Sequence, residues 1–429
     1  MTRRSARARG GGLRRQARDL GIYAARRAGL LPSGTPDRLG DDDRLPGGRF
    51  DQTVMAYFPD TRANLYQLEQ WYAPLRALDE RHRVVVVLQD SRVARQVRRD
   101  LGLPCWVFAH YARLDDVLAR SEVKLALYVN HSPQNFSALR FTSLVHVFLN
   151  HGESDKGVSV SNQVKAYDFC FVAGQGAVDR MRAHTMLWDA DAHCITIGRP
   201  QLDVDRPVDL AQPGDTRMPT VLYAPTWEGA QPTLAYGSVA THGVAMVRDL
   251  LASSKFRVVY RPHPLNGLLD ADYGEADAHV RRLVREAAVK NPRAGHRVDT
   301  DRSVNASFGD ADVLVCDVSA LAQDWLPTGR PLVVTEPASA AVVTAGTRLL
   351  DVVPRLAVSD LPGVVDLVAE QVARDPAREQ RVALTDYYLG DTTPGVATRR
   401  FLDACTRVIE LRDREWPRPA TGLPPASGR

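Results

Sequence analysis

From Asp51 the chain alternates short, continuous apolar runs with longer stretches whose apolar residues recur every three or four positions. The runs TVMAYF (53–58), RVVVVLQD (83–90), CWVFA (105–109), KLALYVN (124–130), LVHVFLNHG (144–152), DFCFVAG (168–174) and CITIGRP (194–200) predict strands. Between them YQLEQWYAPLRALDE (66–80), SRVARQVRRDLG (91–102), LDDVLAR (114–120) and AVDRMRAHTML (177–187) predict helices. Strands that are apolar at every position are buried on both faces, as in a parallel sheet covered by helices. The alternation stops in DVDRPVDLAQPGDTRMP (203–219), with three prolines and no period, and then resumes. TVLYAPTW (220–227), FRVVYRPHP (256–264), DADVLVC (310–316) and RPLVVTEP (330–337) are the later strands. GVAMVRDLLASS (243–254), AHVRRLVREAAVK (278–290), SALAQDWL (319–326) and LPGVVDLVAEQVARD (361–375) are the later helices.

The expected fold is α/β, with two doubly wound Rossmann-like domains facing a central cleft. The expected boundaries are 51–205 and 206–410, with an Arg-rich helix and linker at 1–50 and a Pro-rich tail at 411–429. A length of 429 residues suits two separate cores.

Composition narrows the class. A hydrophobic fraction of 44% with 25% charged residues is that of a soluble globular chain, and no apolar run approaches the roughly 18 residues of a membrane span. The net charge is only +4, but nine arginines lie within the first 27 residues against one acid, Asp19. Nucleic acid is not an expected partner. LRRQARDLGIYAARRAGLL (13–31) can be drawn as a helix with Leu13, Leu20, Ala24 and Leu31 on one side and arginines around the rest. It reads either as an interfacial helix attracted to anionic lipid or as an Arg-rich tail without structure. The five cysteines are scattered, odd in number and without a CxxC pair, which argues against a disulfide framework and against a zinc site. A reducing cytoplasm is expected, and the N-terminus lacks the apolar segment of a secretory signal, so the chain is expected to start near Met1.

In open α/β sheets ligands bind beyond the carboxyl ends of the strands. Four such places carry chemistry: His151-Gly152, Pro225-Thr226-Trp227, Arg261-Pro262-His263-Pro264, and Asp317 with Ser319. Lys156 follows His151-Gly152 closely, in a chain where fifty of the 55 cationic side chains are arginine. Taken singly, each has a structural explanation: strand-end histidines are commonly hydrogen-bonded structure, Trp227 can be packing, and Asp317 and Ser319 can cap a helix. Taken together, two histidines, Lys156, Arg261 and a helix N-terminus supply a base and several anion ligands. That set suits transfer from a nucleotide diphosphate donor. The chain has no P-loop, no Gly-rich dinucleotide fingerprint, no His-Glu-x-x-His and no paired metal-carboxylate motif.

The order of these motifs resembles that of the CDP-glycerol glycerophosphotransferase family of teichoic-acid and capsule polymerases, over roughly residues 125–405. His151-Gly152-x-x-x-Lys156 is similar to the family's His-Gly-Thr-Pro-Leu-Lys turn, and Gly198 to Asp203 to its Gly-Tyr-Pro-Arg-Asn-Asp segment. LYAPTW (222–227) matches closely, RPHP (261–264) stands where the second histidine does, and Asp317-Val318-Ser319 resembles its Asp-Tyr-Ser helix start. YYLGDTTPGVATRRFLD (387–403) resembles the family's C-terminal segment loosely.

The resemblance implies a GT-B fold in which an acceptor hydroxyl attacks the glycerol-bearing phosphorus of CDP-glycerol, or of a related CDP-polyol, and CMP leaves. It implies His151 as the base, His263 on the donor pyrophosphate, and Lys156, Thr226, Arg261, Asp317 and Ser319 as donor or phosphate contacts. Gly152, Pro225 and Trp227 would support them. A lipid-linked or polymer acceptor, no cofactor, no metal, and attachment to an anionic membrane surface on the cytoplasmic face are implied too. Three departures stand out: Glu153-Ser154-Asp155 replaces Thr-Pro-Leu, Gln201-Leu202 replaces Arg-Asn, and the basic residue of the C-terminal segment is absent. Carboxylates beside His151 are expected to repel phosphate or to raise the histidine's pKa. The competing readings are a GT-B glycosyltransferase or UDP-sugar epimerase, and a non-catalytic nucleotide-binding relative.

Overall fold

The computed structural model describes residues 36, 37, 39–150, 152–156, 161–203, 218–229, 231–300, 303–342 and 348–416. The Arg-rich segment 13–31, His151, the linker residues 204–217 and the tail from 417 lie outside the described residues.

The apolar runs become two sheets. The first contains β1 (Val54–Phe58), β2 (Val84–Leu88), β3 (Cys105–Val107), β4 (Leu125–Tyr128), β5 (Val145–Phe148), β6 (Phe169–Val172) and β7 (Cys194–Thr196), in the order β3-β2-β1-β4-β5-β6-β7. The second contains β8 (Thr220–Ala224), β9 (Arg257–Tyr260), β10 (Arg297–Val298), β11 (Val313–Cys316), β12 (Leu332–Thr335) and β13 (Arg355–Leu356), in the order β10-β9-β8-β11-β12-β13. Its five strand pairs are all parallel. Central strands β1, β2 and β8 are buried at every position, because helices cover both faces and leave no side for polar residues. Each sheet reverses its strand order once, between β1 and β4 and between β8 and β11.

Strands β1 to β7 precede residue 205 and β8 to β13 follow it. The chain forms two compact units: one holds the described residues up to 150, 163–171 and 399–416, and the other holds the described residues within 152–162 and 172–398.

Some elements differ from the sequence expectation. Residues 36–50, expected as linker, are packed: Asp37 accepts from the Ser91 N–H at 3.1 Å and Asp41 from the Val107 N–H at 2.8 Å. Phe50 is 2% exposed and meets Phe108 edge to face at 5.8 Å. Gly, Pro and Asp mark turns wherever they occur, and here the carboxylates satisfy backbone donors left open at element ends. The helical stretch 66–80 is two helices, Leu65–Glu69 and Tyr72–Asp79, broken at Trp71, whose indole N–H donates to the Asn150 carbonyl at 2.7 Å. Strands β10 and β13, two residues each, are too short to show a period. Helices Arg378–Leu389 and Val396–Glu415 were not expected, and the second runs into the segment expected as Pro-rich tail. It is held in the first unit by Phe401, fully buried, with ring centroids 5.4 Å from Trp71 and 6.4 Å from Phe171.

Among the described residues no helix is long and apolar enough to cross a membrane, and no group of His, Cys, Asp and Glu side chains could hold a metal ion.

One glycine is dictated by packing. A Cβ at Gly174, after β6, would lie 2.7 Å from the backbone carbonyl of Tyr388. Gly174→Ala is expected to cost about 1–3 kcal/mol, read as a lower urea midpoint. Gly363→Ala, with nothing within 4 Å of the added carbon, should stay within about 0.5 kcal/mol of wild type.

Candidate functional site

The reversal point of the second sheet gathers most of the expected residues. β8 and β11 are neighbours, with Ala224 paired to Cys316, so Thr226 and Asp317 leave adjacent strand ends. Asp317 is fully buried. Its Oδ2 accepts from the Thr226 N–H at 2.6 Å and from the Ser238 N–H at 3.2 Å, and its Oδ1 accepts from the Thr335 hydroxyl at 2.6 Å. Burial pushes its pKa up, against these hydrogen bonds and the nearby Lys156 charge. Asp317, with no exposed surface, ties these loops together.

Lys156 approaches the same point. Its ammonium donates to the Thr226 hydroxyl at 2.8 Å and lies 5.2 Å from the centroid of the Tyr236 ring. Burial pushes its pKa down to about 8, with Asp317 acting in the opposite direction. The preceding turn runs against the helix Ala320–Asp324: a Cβ at Gly152 would lie 2.7 Å from that of Ala320, so only glycine fits. Ser319 stands at the N-cap of this short helix, and its buried hydroxyl has no hydrogen-bond partner among the described residues.

The acidic replacement in this turn is paired within the protein. Glu153 and Asp155 are both buried and both paired with one guanidinium, Arg180 Nη2 to Glu153 Oε2 at 2.6 Å and Nη1 to Asp155 Oδ1 at 3.1 Å. Gln323 donates to Asp155 Oδ1 at 3.1 Å. The carboxylates are thus turned inward, and the guanidinium offsets one of their two charges. Arginine's planar fork presents a separate N–H donor to each of the two carboxylates.

The next strand end holds the second histidine. After β9, the Leu265 N–H donates to His263 Nδ1 at 3.1 Å, so the neutral ring carries its proton on Nε2. Trp227 lies nearly parallel to it, with a 20° interplanar angle and centroids 6.5 Å apart. Glu228, unforeseen in the sequence, holds the rest of this loop: Oε2 accepts from the Gly267 N–H at 3.1 Å and Oε1 from the Leu269 N–H at 2.9 Å. Arg261 is turned toward Ser307, Nη1 to Oγ at 3.1 Å, with buried Asp299 at 3.9 Å.

The second unit therefore brings Lys156, Thr226 and Asp317 into one bonded chain, with buried Pro225 behind them, and sets His263 beside Trp227. Arg261 is held by its own acid, and His151 lies outside the described residues. The segment Gly198–Asp203 is structural: Arg199 makes a bidentate buried pair with Asp324, both bonds 2.8 Å, and Asp203 accepts from Thr398 at 2.7 Å. Glu228 could have been found by its place directly after a strand-end motif. Arg180 could not, being one arginine among fifty.

No protein-family model matches the chain, and no curated protein matches it in sequence. Solved structures match in fold. A putative UDP-N-acetylglucosamine 2-epimerase from Listeria monocytogenes superposes with a TM-score of 0.54 at 13% identity, covering 87% of this chain and 98% of its own. A glycosyltransferase from Rickettsia africae gives 0.52 at 9% identity, with 84% and 99% covered. A variant of the wall teichoic acid polymerase TagF gives 0.51 at 13% identity, with 94% and 98% covered. The architecture is the two-domain Rossmann-like GT-B fold.

Arg180→Ala leaves two buried carboxylates unpaired and is expected to cost about 3–5 kcal/mol. Adding Glu153→Gln and Asp155→Asn removes those charges and should restore most of the loss, measured by chemical denaturation.

Proposed function

We propose that the protein transfers glycerol phosphate, or a related polyol phosphate, from a CDP-activated donor to a hydroxyl of a cell-wall or capsule polymer, releasing CMP. The observation that carries this reading is the Lys156–Thr226–Asp317 chain at the reversal point of the second sheet, with His263 set at the adjoining strand end. It provides a cation, a hydroxyl and an imidazole N–H at the place where open α/β sheets bind nucleotides. The TagF fold, extending over 94% of this chain, supports the same reading.

In the proposed reaction the acceptor oxygen bonds to the phosphorus that carries glycerol, and the bond from that phosphorus to the CMP oxygen breaks. The acceptor proton passes to His151, and CMP leaves with the electron pair. His263 donates from Nε2 to a pyrophosphate oxygen, and Lys156 adds positive charge. Phosphoryl transfer depends chiefly on such positioning and charge stabilisation. A lipid-linked acceptor would bring the reaction to the cytoplasmic face of the membrane, where segment 13–31 is the proposed contact with anionic lipid.

CMP release from CDP-glycerol by the purified chain, supplied with a lipid-linked acceptor, tests the reading. His151→Ala and His263→Ala should each lower it about 10² to 10⁴-fold. Binding of UDP but not CDP would overturn it in favour of a UDP-sugar epimerase or glycosyltransferase. CDP-glycerol binding without turnover would favour the non-catalytic relative.

Lys156 also gives a pH signature. Its ammonium holds the donor only while protonated, and its free-state pKa is lowered to about 8. CDP affinity by calorimetry should therefore weaken as pH rises from about 8, and Lys156→Met should remove that slope.

A further inference from the structure

Lys156 carries its charge in a buried place with few groups to bond it. Its ammonium has three N–H donors, and among the described residues one of them is used, on the Thr226 hydroxyl at 2.8 Å. Asp317, at the end of β11, acts on it through its charge, and no hydrogen bond joins the two among the described residues. Glu153 and Asp155, on the lysine's own turn, are directed at Arg180. The remaining neighbour is the ring of Tyr236, whose centroid lies 5.2 Å from the ammonium. That is inside the roughly 6 Å over which an aromatic face attracts a cation.

The fold holds this ring tightly. Tyr236 lies in the loop from Thr226 to Ser238, and both ends of that loop are tied to one oxygen. Asp317 Oδ2 accepts from the Thr226 N–H at 2.6 Å and from the Ser238 N–H at 3.2 Å. Two glycines let the loop close on itself. A Cβ at Gly229, where φ is +83°, would lie 2.3 Å from the Leu234 carbonyl oxygen, and one at Gly237 would lie 2.9 Å from that of Trp227. Tyr236, 1% exposed, therefore packs against the strand ends, in one core with Leu222 and Ala224 of β8 and Cys316 of β11. An aliphatic side chain could fill this volume. It would leave the ammonium's other donors against hydrocarbon, at the cost of desolvating a charge without compensation. Burial already pushes the Lys156 pKa down to about 8, so the charged form at neutral pH depends on the few groups that favour it.

We propose that Tyr236 is a positioning residue, whose ring face keeps the Lys156 ammonium charged and fixed beside Thr226 at the end of β8. In the reaction proposed above that ammonium meets the donor's pyrophosphate, an assignment that rests on that reading; the hold of the ring on the lysine does not.

The chain has five lysines, so isotope-labelled lysine allows each side chain to be titrated by NMR in the full chain, and the signal missing in Lys156→Met identifies Lys156. Tyr236→Phe keeps the ring and should leave the Lys156 midpoint in place. Phenylalanines carrying progressively more ring fluorines, incorporated at position 236, draw charge from the ring face with little change in shape. They should lower the midpoint stepwise, and Tyr236→Leu should lower it by about one pH unit, a tenfold loss of proton affinity. The fluorinated rings preserve the core, so they remain informative if Tyr236→Leu fails to fold. A midpoint indifferent to fluorination in the folded protein, or one lowered as far by Tyr236→Phe as by Tyr236→Leu, overturns the assignment. CDP binding by calorimetry runs alongside, and its pH dependence should move with the lysine midpoint. A wild-type chain that binds no CDP, while the midpoint still follows the ring, counts against the nucleotide reading alone and supports the role of Tyr236.

Discussion

The second unit is organised around one buried carboxylate. Asp317 takes three hydrogen bonds, from the loops after β8 and at Ser238 and from the end of β12, and it has no surface in contact with solvent. Removing a carboxylate from water costs several kcal/mol, so it is tolerated only where donors and a nearby cation compensate it. Lys156 is that cation. The arrangement is reciprocal: Asp317 holds the Thr226 backbone, the Thr226 hydroxyl holds the Lys156 ammonium, and Lys156 in turn lowers the cost of keeping Asp317 charged. Disturbing any one of the three changes the electrostatics of the others, so they act as a unit.

The same logic explains how the chain divides its cations between two chemistries. Buried ion pairs that shape the backbone use arginine: Arg180 spans Glu153 and Asp155, Arg199 grips Asp324, and Arg381, fully buried, binds Asp375. A guanidinium offers several donors in a plane and tolerates desolvation. At the strand ends of the second sheet, where a compact charge must stand over a hydroxyl and beside a ring, the residue is a lysine. In the acidic turn both carboxylates are directed at one guanidinium, which offsets one of their two charges.

The two sheets share a geometry and differ in what they place at its key point. Both reverse strand order beside their first strand, and in both a hydrogen bond joins residues that follow the two flanking strands. In the second sheet that bond ends in a positively charged lysine; in the first it ends in amides and an unpaired carboxylate.

The alternation of apolar runs and helical stretches was enough to predict doubly wound sheets, because a strand buried on both faces must be apolar throughout and leaves that record in the chain. Strand-end position likewise singled out Thr226, His263 and Asp317. The sequence was silent on what each polar group faces. Glu153 and Asp155 read as charges beside a base, and only folding turned them toward Arg180. Arg261 read as a phosphate ligand, and folding set it against Asp299 and Ser307. Asp60 and Asn130, seventy residues apart, carry no motif, and strand order alone makes them neighbours. Burial pattern is a local property, written in the spacing of apolar residues. Partner choice among charged and amide side chains depends on distances between residues remote in sequence, which exist only once the tertiary structure has formed.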